Sequence, residues 1–232
     1  PISETAIVGL SIGSSMLGLR PVVEISYIDF LGTCFDQVMN QAAKLRYMYG
    51  GMVSLPLVIR TQCGAGLGNG AQHSQSLEAL LAHIPGIRVV MPSNAYDAKG
   101  LLLRAIRDNN PVVFIEHKAL YKTKCEVPEE PYECDYTCSI KREGSDVSII
   151  TYSAMVNQAL KAADKLAEEG ISAEVVDIRT IEPLDEDSII RSVEKTGRAV
   201  VVHEACRKAG FGAELAAIIQ EMIRIVRVNR IP

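Results

Sequence analysis

Apolar and polar positions fall in alternating blocks along the chain. Short continuous apolar runs are separated by longer segments in which apolar residues recur every three or four positions. The runs over 21–26, 55–60, 87–91 and 111–116 predict strands. The segments 2–19, 33–47, one beginning near Ser74, and 95–107 predict helices, with Ser3 placed to cap the first. Residues 118–144, rich in Pro, Glu, Cys and Tyr, break the pattern and read as a linker. The same grammar then returns. Strands are expected over 147–152, 172–178, 199–203 and 225–228, with helices near 155–169, 185–195 and 212–222. Short apolar strands between helices indicate mainly parallel sheets covered on both faces. The expected fold is therefore α/β, with two parallel-sheet units over 1–117 and 145–232 joined by a linker over 118–144.

The ends of the pattern are abrupt. A helix start stands at the first residues, PISETAIVGL, so a preceding segment is expected. At EMIRIVRVNRIP a helix passes into the expected last strand without turn residues, and no helix closes the unit. Missing residues there and a further C-terminal piece are expected. The first helix also carries Ala6, Gly9, Gly13 and Gly18, a composition costly for a helix unless something packs closely on it.

Composition narrows the function classes. Hydrophobic residues make up 48% and charged residues 22%, ordinary for a globular protein that buries roughly 70% of its unfolded surface. A net charge of −4 disfavours a nucleic-acid partner, which needs a basic face. No apolar run reaches the roughly 20 residues that span a bilayer, so no membrane association and a cytoplasmic location are expected. Of the six cysteines, Cys125, Cys134 and Cys138 share the linker at spacings unlike a zinc site, and read as loop thiols in a reducing compartment.

Candidate chemistry begins at the glycine-rich GAGLGNG. Its glycines (Gly64, Gly66, Gly68, Gly70) follow neither the dinucleotide nor the P-loop spacing, and no acidic residue ends the next strand to hold a ribose. The loop does leave the carboxyl end of a strand, where parallel sheets bind ligands, and it leads into His73. His73 reads either as a capping residue or as a proton shuttle. Glu4 sits in a first helical turn, where the helix dipole alone favours a carboxylate. The stretch with Arg104, Arg107 and Asp108 reads as a helix end, and His203-Glu204 as a structural strand end. From the residues alone, the reading reaches two α/β units with a possible site at the strands' carboxyl ends.

Longer strings carry more. PISE, GLRPVVEI, DFLGTCFDQVMNQAAK, GAQHSQSLEALLAHIPGIRVVMPSNAYDAKGLL and AIRDNNPVVFIEHKALY occur in order, followed by VSIITYSAMV, AEVVDIRTIEPLD and GRAVVVHEA. From the first residue to about Met222 this resembles the beta subunits of thiamine-diphosphate-dependent 2-oxo acid dehydrogenase first components. DFLG, the NQAAK–RYM–GG stretch and EHKALY look most like acetoin dehydrogenase beta subunits.

The resemblance implies a transketolase-like pyrimidine-binding domain followed by a transketolase C-terminal-like domain. It implies that Glu4 bonds a ring nitrogen of the thiamine diphosphate aminopyrimidine, that Phe30 packs on that ring, and that Tyr27 lines the pocket. His73 matches a histidine placed near the substrate and the incoming lipoyl group. The resemblance further suggests a structural potassium site from Leu57, Ala105 and Ile106 with Asp108 and Asn110. The GDG motif that holds magnesium and diphosphate in thiamine enzymes is absent from the sequence, which implies an alpha subunit that supplies it, in an α2β2 heterotetramer. The helix of small residues would then be an interface helix, and close packing within the chain explains it nearly as well. A lipoyl-bearing acyltransferase is the implied second component, and a 2-oxo acid or acetoin the implied substrate. Thr33 stands where pyruvate-type relatives carry glutamine, so pyruvate is not assumed. Two other classes stay open: a nucleotide-binding oxidoreductase, favoured by the glycine loop, and a non-catalytic scaffold subunit.

Overall fold

The computed structural model describes residues 2–228. In chain order the first half holds α1 (Glu4–Met16), β1 (Val22–Ile25), α2 (Leu45–Met48), β2 (Val58–Cys63), α3 (Glu78–Ala82), β3 (Arg88–Val90), α4 (Ala95–Arg107) and β4 (Val112–His117). The second half holds β5 (Ser139–Arg142), β6 (Val147–Thr151), α5 (Met155–Glu168), β7 (Ala173–Asp177), β8 (Thr180–Glu182), α6 (Glu186–Thr196), β9 (Ala199–Val201) and α7 (Phe211–Val228).

Two sheets result. The first has the order β1-β2-β4-β3-β8 and the second β5-β7-β6-β9. All pairs are parallel except β3–β8 and β5–β7, which are antiparallel edges. The central strands are buried along almost their whole length, Val112–Ile115 of β4 being no more than 1% exposed. That burial on both faces explains their unbroken apolar runs.

Four sequence expectations change. Residues 33–47 do not form one amphipathic helix: a 3-10 turn over Ile28–Cys34 leads into a π-helical segment over Gln37–Ala42 and then into α2. Packing of Val8 and Ile12 beside Ile28, Leu31 and Val38 in one buried cluster overrides the local period. The strand expected over 225–228 is helical, because no glycine, proline or turn residue interrupts α7 after Ala213. The linker contributes β5 to the second sheet. Finally β8, from the second half, pairs with β3 of the first sheet, with Val89 opposite Glu182 and Val90 opposite Thr180.

The halves are also joined by buried charge. Asp97, on α4 and 1% exposed, accepts from Arg179 Nη1 at 2.8 Å and from Lys141 Nζ at 2.5 Å. Beside it, fully buried Asp177 accepts from Ser93 Oγ at 2.5 Å and lies 3.7 Å from Lys141 Nζ. Burial pushes the Asp97 carboxyl up, but the bonds from Lys141 and Arg179 outweigh it and hold the group below its ordinary range. For Asp177 burial wins and raises it to about 6, against the Ser93 bond and the Lys141 charge.

Removing the acid from this cluster leaves Arg179 without its carboxylate. Asp97→Asn is expected to cost about 3–5 kcal/mol in urea unfolding at pH 7. A loss below about 1 kcal/mol would show the join to be dispensable. The two acids act oppositely with pH. Asp97 contributes stability above its unfolded value near ~4, lost as pH falls. Asp177 binds its proton more tightly folded than unfolded, so it lowers stability as pH rises between ~4 and about 6. Asp177→Asn should flatten that decline.

Candidate functional site

Three aromatic rings meet at the carboxyl ends of β1 and β2. Tyr27 and Phe30 lie in and just before the 3-10 turn after β1, and His73 lies in a short turn, Ala71–His73, that ends the glycine-rich loop. The Tyr27 and His73 ring centroids are 4.6 Å apart, Phe30 and His73 5.4 Å, and Tyr27 and Phe30 6.1 Å, all edge-on. All three side chains are half-buried, leaving ring surface open to a flat ligand.

The helix that carries Glu4, α1, is bonded to the same turn. Thr5 Oγ1 donates to the Thr33 carbonyl at 2.8 Å, and Thr33 Oγ1 donates to the Phe30 carbonyl at 2.8 Å. This ties the first turn of α1 to the turn that carries Phe30. Glu4 is half-buried and makes no ion pair among the described residues. Its charge acts on Cys34 beneath it: burial first, then Glu4, pushes that thiol up to about 11. Cys34 is therefore an inert core thiol.

The histidine turn is held by residues the sequence did not single out. Lys118 is 7% exposed, donates from Nζ to the His73 carbonyl, and stands 4.9 Å over the Tyr27 ring. Gln75 donates from Nε2 to Asp29 Oδ1 at 2.7 Å. Among the described residues Lys118 makes no ion pair with an acid, and a carbonyl and a ring face meet its ammonium. Its apolar neighbours in EHKALY hide this use, and the signal was only a lysine directly after a buried strand.

The oxygens expected to hold potassium do gather at the end of α4, among arginine donors. Arg20 Nη1 donates to the Ile106 and Asp108 carbonyls, each at 3.0 Å, and Arg46 Nη1 donates to Asn110 Oδ1 at 3.1 Å. Arg88 Nε is 2.6 Å from Asp108 Oδ2, while Asp108 Oδ1 accepts from the Asn110 backbone and side chain at 2.9 Å. The Leu57 carbonyl accepts from Val112 N, and the Ala105 carbonyl from Asp108 N. Three guanidinium groups around satisfied acceptors do not fit a further bound cation.

The linker cysteines do not converge either. Cys125 is exposed, Cys134 is buried against Gly100 of α4, and Cys138 lies beside Asp185.

Comparison with known proteins decides the family. Residues 1–124 match the transketolase pyrimidine-binding domain and residues 137–230 the transketolase C-terminal domain. The chain is 53% identical over 222 residues to the acetoin:2,6-dichlorophenolindophenol oxidoreductase subunit beta of Cupriavidus necator, covering 95% of this chain and 66% of that one. It is 52% identical to the pyruvate dehydrogenase E1 component subunit beta of Bacillus subtilis, covering 95% and 69%. The chain belongs to this family of beta subunits. It spans about two thirds of the length of these relatives. A solved structure described as a split gene transketolase, an inactive beta4 tetramer, superposes with a TM-score of 0.80 at 26% identity, covering 95% of this chain and 68% of that one. No helix among the described residues is long and apolar enough to cross a membrane.

In this beta subunit, removing the Lys118 ammonium should loosen the histidine turn without unfolding the sheet. Lys118→Met is expected to speed amide exchange at residues 71–75 while β2 and β4 stay protected. Exchange unchanged at 71–75 would mean that Lys118 does not hold the turn.

Proposed function

We propose that this chain is the beta half of a thiamine-diphosphate-dependent dehydrogenase that decarboxylates a 2-oxo acid or cleaves acetoin, and passes the acyl group to lipoamide. The observation that carries the reading is the Tyr27–Phe30–His73 cluster tied to the start of α1, within a segment matched by a pyrimidine-binding family model. Residues 1–117 would form the pyrimidine-binding domain, 118–144 the connector, and 145–232 the assembly domain.

The residues present fit the cofactor. Phe30, with Tyr27 beside it, offers an aromatic wall for the pyrimidine. Glu4 supplies a carboxylate to a ring nitrogen, a charge-assisted bond of roughly 1.5–3 kcal/mol. When bound, thiamine diphosphate supplies the nucleophilic carbon that attacks the substrate carbonyl. Glu4 holds a proton at the ring nitrogen. His73 stands over the same wall and serves as proton donor and acceptor for the substrate oxygen, work that contributes about 10²–10⁴ in rate.

A partner is expected to complete the site. Among the described residues the faces of Gly9 and Gly13 on α1 meet nothing within 4 Å, so packing among those residues does not explain the small side chains. Leu10 is 76% exposed beside them. An alpha subunit seated on α1 would cover that face and supply the magnesium and diphosphate site, in an α2β2 assembly served by a lipoyl-bearing acyltransferase. Six unpaired thiols suit a reducing cytoplasm.

The test is dye reduction by this chain co-expressed with its alpha partner, with thiamine diphosphate and magnesium, and acetoin, pyruvate or branched-chain 2-oxo acids in parallel. Turnover with one of them is expected, and Glu4→Ala and His73→Ala should each lower kcat about 10²–10⁴-fold. No turnover from a cofactor-saturated complex would leave the non-catalytic scaffold. Tight binding of NAD to the isolated chain would instead favour the nucleotide-dependent class. Potassium has its own check. A higher thermal midpoint in potassium than in sodium chloride at equal ionic strength would show that the ion displaces Arg20 and Arg46. Equal midpoints are expected.

A further inference from the structure

The glycine-rich loop has two anchored ends, and the one at its entrance belongs to the other half of the molecule. At Gly64 the backbone takes φ +103°, and a Cβ there would lie 2.2 Å from His117 Nε2. Only glycine lets the chain cross the imidazole so closely. One residue later, Ala65 N donates to Glu204 Oε1 at 2.6 Å. The second oxygen of Glu204 lies 2.9 Å from His117 Nε2. His117 Nδ1 accepts the Ala119 N–H at 3.2 Å, so its proton sits on Nε2 and is donated to Glu204.

Glu204 thus uses both oxygens on the first half while its backbone follows β9 of the second sheet. Its side chain is three-quarters covered and His117 is buried, which strengthens both bonds relative to water. Beyond Ala65 the chain to Ala71 is exposed, with Gly66, Gly68 and Gly70 all at positive φ and none touching another residue through its Cβ position. That stretch has little to hold it except its ends. The exit is held by Lys118 on His73 and Asp29 on Gln75. The entrance is held by Glu204 and His117.

We infer that Glu204, acting through His117 and the Ala65 amide, is a positioning residue contributed by the second domain to the His73 site. It clamps the entrance of the glycine loop and thereby fixes where His73 stands over the aromatic wall. The inference rests on the proposed role of His73, but the clamp itself is read without catalysis.

The experiment uses the full chain with its alpha partner and compares Glu204→Ala, Glu204→Gln, His117→Ala and the Glu204→Ala/His117→Ala double variant. Amide exchange over residues 65–73 should rise about 10-fold or more in Glu204→Ala, with β2, β6 and β9 unchanged. Because a misplacement of about 1 Å can cost ~100-fold, kcat should fall about 10–100-fold with KM within about 3-fold. Glutamine keeps an acceptor for Ala65 and should restore most of the loop protection. The double variant should be little worse than Glu204→Ala alone, since both residues act through one clamp.

Unchanged loop exchange in Glu204→Ala overturns the inference. So does a glutamine variant as exposed as the alanine one, or exchange that rises uniformly through the chain. If the unmutated complex shows no turnover, the catalytic reading fails while loop exchange still judges the clamp.

Discussion

Arg179 is the joint on which the two halves turn. Its backbone adopts a left-handed conformation at φ +52°, which swings the chain out of β7 in the second sheet and into β8 beside β3 in the first. Its carbonyl accepts from Met91 N at 2.7 Å, and its guanidinium reaches Asp97 on α4 while also donating to the Thr137 carbonyl. One residue therefore satisfies backbone of the first sheet, a buried carboxylate and the connector together. A left-handed non-glycine residue costs of order 1–3 kcal/mol, and the buried contacts offset it. That joint adds a buried polar tie to the apolar core the two halves share, and helps fix the second domain against the first sheet.

That placement matters because the glycine loop that ends at His73 leaves the carboxyl end of β2. Cys63, where β2 stops, is buried and its thiol is pushed well up by burial and then by the charges of Glu78 and Glu204. It is a wall rather than a nucleophile. Tyr152, at the end of β6, donates to Glu78 Oε1 at 2.7 Å, which anchors α3 to the second sheet just beyond the histidine turn. Polar groups from both sheets thus meet in a nearly closed seam. In such a seam each hydrogen bond is stronger than in water, and each lost partner costs more.

The sequence was informative where a segment's own period matched its final surroundings. α4 was read to the residue, because Leu101 and Ala105 bury one face at helical spacing and Asn94 caps the start. Residues 33–47 misled because Phe35, Val38, Met39 and Ala42 keep helical spacing while the backbone slips into a π-helical segment that no pattern records. β5 and β8 were invisible for another reason. They are four and three residues long, and their strand character comes from the edges they pair with. The site behaved similarly. His73 was legible as a histidine at the end of a loop, and its partners became meaningful only through resemblance. Glu204 was dismissed as a strand end because Ala65 is 139 and His117 87 positions away. Spacing arguments do not reach that far.

Those long separations also say something about how the chain divides its labour. The groups proposed to touch cofactor and substrate, Glu4, Tyr27, Phe30 and His73, all come from the first 73 residues. Of the groups that restrain the path to His73, only Asp29 comes from this stretch; the others come from farther along: His117 at the end of β4, Lys118 just after it, and Glu204 after β9. A loop rich in glycine pays heavily in entropy to be held in one place, and its own residues offer few contacts to offset that. Restraint must then be borrowed from a rigid body outside the loop. The second sheet is such a body because Arg179, Asp97 and β8 lock it to the first. Its rigid placement is what lets a flexible glycine loop present one histidine reproducibly.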